Sequence, residues 1–386
     1  MQKKIIALAI AGLSSAAFAQ STVTMSGLVD GGYYSQSIQT AGSADTKTAF
    51  ASNGSSTSAL FLTVTEDLGN GMTAKFFGET DWQPAGVNAA ATGNAGVGLL
   101  NSYTYLELSG TKWGSVKGGI LNTAALYATI AAQPFGTGIG SGISGAFGRL
   151  SRVGSNGSFA LGTAGTVAAE GETAAFGSGA RSVRVNNALS YTSPSFSGFS
   201  GSFMWAKKND QSAADAAAAS NTAGFQALGL QYNNGPINVH YANEQISNGV
   251  QAGVTNSTML ANEKVTHNIL SGNYTMGPAT LYAGWTSSKN NGVTGVATTA
   301  DSRSWNLGLK YAVSGALSLA ANLLRVDDKT TADKDRNLNA IGFDYTLSKR
   351  STVYGRYENG DNDKNGVTGA NVGNFTRYQL GMRHSF

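Results

Sequence analysis

The chain has 386 residues, with 26 Lys and Arg against 22 Asp and Glu, a formal net charge of +4, and no cysteine. A balance this close gives no case for a nucleic-acid partner, and the missing cysteines exclude a disulfide framework and thiolate chemistry. Only 12% of residues are charged, against roughly 25% in an ordinary soluble domain, yet after residue 19 no apolar run is long enough for a transmembrane helix.

Residues 1–19 read as a secretory signal peptide. Lys3 and Lys4 make a positive start, Ile5 to Leu13 an apolar stretch, and Ala17-Phe18-Ala19 a small-x-small cleavage site. Ser14 and Ser15 interrupt the apolar stretch too early for a membrane anchor, so the mature chain is expected to span 20–386, beginning near Gln20.

A first strand is read over 23–35. Next, Leu60, Leu62 and Val64 alternate with Phe61, Thr63 and Thr65; across the turn at 66–71, Met72, Ala74 and Phe76 alternate with Thr73, Lys75 and Phe77. Short turns recur at 109–115, 193–198, 233–236, 276–278, 313–316 and 347–350, and the last five follow closely on Tyr191, Tyr232, Tyr274, Tyr311 and Tyr345. Trp305, Leu307, Leu309 and Tyr311 oppose Ser304, Asn306, Gly308 and Lys310 with period two, and Val353, Gly355 and Tyr357 oppose Tyr354, Arg356 and Glu358. All five prolines fall in turns or long connections, as the missing N–H of proline requires. The chain ends on a strand whose even face is mostly apolar or amphipathic, Tyr378, Leu380, Met382, His384 and Phe386.

Seven short turns, a strand before them and a strand at 375–386 make sixteen strands with both ends on the short-turn side. The long connections lie opposite, near 36–58, 81–99, 119–181, 207–222, 243–263, 287–302, 327–336 and 359–374. Low charge with apolar residues at alternate positions is the pattern of an all-β, 16-stranded antiparallel transmembrane β-barrel, with short periplasmic turns and long extracellular loops. In a closed barrel the last strand pairs with the first, so Phe386 is expected to serve assembly from the periplasmic aromatic girdle.

Parity then places Asp30, Lys75, Glu79, Lys117, Lys310, Asp344, Arg356, Glu358, Arg377 and Arg383 on the inner face. As a set they read as the lining of a pore, because sixteen strands are too many to plug with wall side chains alone; individually, each could equally be solvating a closed interior. Within 119–181, Tyr127, Ile130, Gln133, Phe135 and Ile139 are candidates for a constriction; a connection this long could instead cap the mouth from outside. Gly140-Ser141-Gly142-Ile143-Ser144-Gly145 matches the dinucleotide pattern, but no strand-to-helix unit surrounds it. His240, His267 and His384 lie on different strands without ligand spacing, and no Ser–His–acid set can be nominated, so no catalytic residue, cofactor or metal is expected.

VTMSGLVDGGYY (23–34), TEDLGNGMTAKF (65–76), NNALSYTSPSFSGFSG (186–201), YTLSKRSTVYGRY (345–357) and LGMRHSF (380–386) resemble the general, non-specific outer-membrane porins of Gram-negative bacteria, in particular the β-proteobacterial type. PFGTG (134–138) falls where that family carries an inward-folded third loop. The resemblance implies a homotrimer in the outer membrane, in contact with its lipid and lipopolysaccharide, each barrel a water-filled channel for passive diffusion of small hydrophilic solutes and ions. The chain departs from the family in having no charged residue from Gly118 to Gly148, and in Gly119 and Ser190 where basic side chains are frequent, so weaker charge discrimination is expected. A substrate-selective channel, a barrel serving as an adhesin or a filled-barrel enzyme, and a soluble propeller built from repeats near 40 residues are the rival readings.

Overall fold

The computed structural model describes residues 21–40, 43–82, 99–141, 184–206, 224–247, 264–290, 301–329, 335–361 and 375–386. The proposed leader and most of the long connections lie outside these residues. Seventeen strands follow in order: β1 (Thr22–Thr40), β2 (Ser43–Ser52), β3 (Ala59–Gly69), β4 (Met72–Asp81), β5 (Thr104–Gly110), β6 (Gly114–Asn122), β7 (Arg184–Thr192), β8 (Phe199–Ala206), β9 (Gly224–Asn234), β10 (Ile237–Ser247), β11 (Lys264–Met276), β12 (Ala279–Asn290), β13 (Asp301–Ala312), β14 (Leu317–Asp328), β15 (Arg336–Thr346), β16 (Ser351–Asp361) and β17 (Phe375–Ser385). One helix, α1 (Ala124–Ala131), follows β6.

Each strand pairs antiparallel with its neighbours in the ring, and β17 returns to β1, so no edge is left open. The seventeen segments occupy sixteen places. The first half of β1 pairs with β3, from Thr22↔Thr65 to Leu28↔Ala59, and the second half with β2, from Gly31↔Ser52 to Thr40↔Ser43. β2 and β3 are therefore halves of one barrel strand, interrupted at 53–58.

This corrects the reading of 36–58 as a long connection: β1 runs on to Thr40 and β2 returns from Ser43. Apolar alternation fails in this stretch, where Ser35, Gln36 and Ser37 put polar groups on both faces. A ladder with two wet faces carries no period-two signal.

The seven short turns all join consecutive strands. At the turn between β3 and β4, Gly69, Asn70 and Gly71 take φ of 78°, 52° and 75°, left-handed values that glycine and asparagine tolerate. At the C-terminus the Phe386 N–H donates to Gly27 O (3.0 Å) and the Gly27 N–H to Phe386 O (2.9 Å). The Phe386 ring lies on Gly27, where an added Cβ would stand 2.3 Å from the ring. Phe343 covers Gly355 in the same way. A ring laid over a cross-strand glycine restores the packing that the missing side chain would have given.

The apolar surface faces outward. Leu106, Leu230, Leu270, Trp305, Leu307, Leu319 and Ile341 are exposed, and Tyr191, Tyr274, Tyr311, Tyr345 and Phe386 are exposed at the short-turn end. Inner positions such as Ser304, Asn306, Asn322 and Glu358 are buried. A surface of this kind is stable only against hydrocarbon, with rings at the interface.

Candidate functional site: the lumen and its inward segment

The chain leaves β6 at Asn122 and turns into the barrel. Thr123 is extended, and its Oγ1 accepts from Leu126 N–H (3.2 Å), capping α1. Glu244 on β10 adds a carboxylate at the same end, accepting from Ala125 N–H (3.0 Å), where the helix dipole favours negative charge.

Small residues let α1 lie close to the wall. Ala125 and Ala128 are buried with Phe135 against Ala242, Ile269, Leu324, Val326, Leu338 and Ala340. These wall residues sit at inner positions, so the lumen carries an apolar seat for the segment. The carbonyls of the helix's last turn and of the residues after it are met by wall amides and hydroxyls. Ser271 Oγ donates to Ala128 O (2.6 Å), Asn273 Nδ2 to Ala131 O (3.0 Å), Asn306 Nδ2 to Ala132 O (2.7 Å) and Asn322 Nδ2 to Gly140 O (3.1 Å).

The far end is fixed twice. Gly140, with φ of 90°, donates to Glu358 Oε2 (2.6 Å), and Ile139 N–H donates to Gly54 O (2.9 Å) in the break between β2 and β3. That break is itself held by Asp30, whose carboxylate accepts from Ser55 N–H (2.8 Å), Ser56 N–H (2.5 Å) and Tyr354 OH (2.5 Å). Residues 123–141 thus cross the interior from β6, past β10, β11, β13 and β14, to β16 and the broken strand.

The candidate constriction residues divide. Tyr127 is 43% exposed and Ile130 is half-buried. Gln133, Phe135 and Ile139 are buried between segment and wall, where they hold the segment instead of lining a passage. Phe135 also stacks on the Arg356 guanidinium, 5.2 Å from its ring centroid.

All ten wall candidates lie at inner positions, mostly in ion pairs. Lys310 and Arg356 meet Asp344 (3.5 and 2.5 Å), and Arg377 meets Glu358 (2.5 Å). Asp30 lies opposite Arg383 in the register. Lys75 and Lys117 both approach Glu107 (3.1 and 3.9 Å), and Glu79 meets Arg184 (3.3 Å), which also approaches Asp81 (3.5 Å).

Glu107, Glu244, Arg184 and the Asn306–Asn322 pair were not singled out in the sequence, although Glu107 alternates with Leu106 and Leu108 and parity could have found it. Gly119 and Ser190 stand opposite Tyr105 and Lys117. Of the GxGxxG pattern, Gly140 anchors the segment to Glu358, and 142–145 lie outside the described residues. His240 Nε2 bonds Asn238 Oδ1 (2.9 Å), His384 Nδ1 bonds Ser351 Oγ (2.9 Å) and His267 is buried; among the described residues no cluster of three potential metal ligands exists.

A closed sixteen-place barrel, apolar outside and polar within, with a segment folded across its interior, defines an outer-membrane channel. The comparisons agree. The model of the family described as Gram-negative porin matches residues 6–365, and the chain belongs to that family. It is 27% identical to an outer membrane porin protein of Bordetella pertussis, over 92% of this chain and 93% of that one. It is also 27% identical to outer membrane porin protein 32 of Delftia acidovorans, over the whole of both chains. The solved anion-selective porin from Comamonas acidovorans superposes with a TM-score of 0.72 at 24% identity, covering 95% of this chain and all of that one. The chain is an outer-membrane porin, a channel for passive diffusion.

Proposed function

We propose that the chain assembles as a homotrimer of separately conducting pores, embedded in outer-membrane lipid and lipopolysaccharide, that pass small hydrophilic solutes and ions with a weak preference for anions. Leader removal at residue 19 and the trimer rest on sequence pattern and family resemblance. Size selection follows from barrel width and the inward segment, with Tyr127 and Ile130 at the narrowing.

The observation that carries the weak anion preference is unequal exposure within the ion pairs. Side-chain exposure is 33% for Lys75 and 24% for Lys117 against 10% for Glu107, 27% for Arg184 against 11% for Glu79, and 36% for Lys310 against 23% for Asp344; Arg184 and Asp81 are nearly even, and Arg356, at 4% against Asp344, is the exception. Solutes therefore meet cations more than carboxylates, while the uncharged segment 123–141 adds no opposing charge. A lining of this kind tunes which ions enter. The anion selectivity named for the Comamonas relative supports the same sign.

Reversal potential in a tenfold KCl gradient tests this. A small potential of anion-selective sign is expected, and a strong cation preference overturns the reading.

A further inference from the structure

One stretch of the wall, across β3 to β6, has a composition that plain diffusion does not use. Phe77 and Tyr105 lie directly opposite each other on neighbouring strands, with ring centroids 5.4 Å apart and planes at 25°. Phe61 extends the row at 6.1 Å and 27°, and Tyr103 adds a fourth ring at 5.5 Å from Phe77 and 4.7 Å from Tyr105. Tyr127 approaches Tyr103 from the inward segment. The next row of the ladder is ionic: Lys75↔Glu107↔Lys117. Lys117 Nζ lies 4.9 Å and Lys75 Nζ 5.8 Å from the Tyr105 ring centroid, and Lys117 reaches the Tyr103 hydroxyl at 3.5 Å.

We propose that this row is a binding site for small aromatic carboxylates, with the solute ring on Phe77 and Tyr103 and its carboxylate at Lys75 and Lys117. Two ammonium groups share the single carboxylate of Glu107, so the ionic row carries one positive charge in excess, which an incoming carboxylate neutralises. Phe77 and Tyr103 are only half-buried, leaving ring surface for offset stacking. A sugar would use the rings but not the excess charge, and an aliphatic anion the charge but not the rings. The proposal rests on the open-pore reading and adds a solute class to it.

The test is saturable block of chloride current through the full, purified channel by benzoate, acetate, cyclohexanecarboxylate and maltose. Benzoate is expected to half-block at a concentration about tenfold below acetate, as ring stacking of this size allows. The F77L/Y103L double variant is expected to bring benzoate to the acetate level, and K75Q/K117Q to weaken every carboxylate, each variant scored against its own chloride current. Should the double variant fail to fold, F77L alone is read by the same ratio. Equal block by benzoate and acetate, or by benzoate and cyclohexanecarboxylate, overturns the proposal, and so does block by maltose alone. Absence of chloride current in the unaltered protein instead refutes the open pore.

Discussion

Two residues at the seam show how single positions matter in this barrel. Phe386 closes the ring through paired backbone bonds to Gly27 and lays its ring over that glycine. Deleting Phe386 is expected to lower the yield of heat-modifiable barrel on unheated gels, while the channels that do assemble keep their unit conductance. Normal assembly of the truncated chain contradicts this role. Replacing Gly27 by leucine drives a side chain into the ring, with a cost of roughly 1–3 kcal/mol expected from overpacking; a lowered unfolding temperature is the readout.

A second residue-scale prediction concerns Glu358, fully buried between Arg377 and the Gly140 amide. Glu358→Ala removes one carboxylate from the buried Arg377 guanidinium, at a cost of up to about 3–5 kcal/mol, the loss seen when one partner of a buried pair is deleted. It also removes one of the bonds that fix the far end of the inward segment, so noisier open-channel current is expected beside lower stability. Quiet current from the variant would show that Ile139 and Asn322 hold the segment without it.

At the scale of elements, the strands were legible and the inward segment was only half so. Period two located the inner faces because lipid outside and water inside sort residues cleanly: Lys310 and Asp344 fell beside Leu309 and Phe343 without ambiguity. The same reasoning predicts opposite outcomes for neighbours on one strand. Leu307→Arg on β13 places a charge on the lipid face, at about 2–4 kcal/mol near the bilayer midplane. Asn306→Ala, one residue earlier, faces inward and removes the bond to Ala132, so its effect belongs in conductance noise more than in barrel yield.

Residues 123–141 obey no such rule, because one side meets protein and the other water. Phe135 and Ile139 therefore looked like lumen residues and proved to be anchors. Their seat was hidden for the same reason: Ile269, Leu324 and Leu338 are apolar at inner positions, which breaks the alternation where the segment docks. The break at 53–58, held by Asp30, gave no signal beyond a run of small polar residues.

For the whole molecule, the closed ring explains a composition that fits neither a soluble domain nor a helical membrane protein. Among the described residues the strands pair with their neighbours around the circumference, most apolar side chains of the wall are turned to lipid, and most charges within the strands face inward. Sixteen places make a ring wide enough to leave an aqueous passage after one segment has crossed it. The most direct test is single-channel recording of the folded, detergent-purified protein in a planar bilayer. Discrete, ohmic steps in KCl are predicted. A heat-modifiable barrel that inserts yet carries no current would contradict the water-filled lumen on which the account depends.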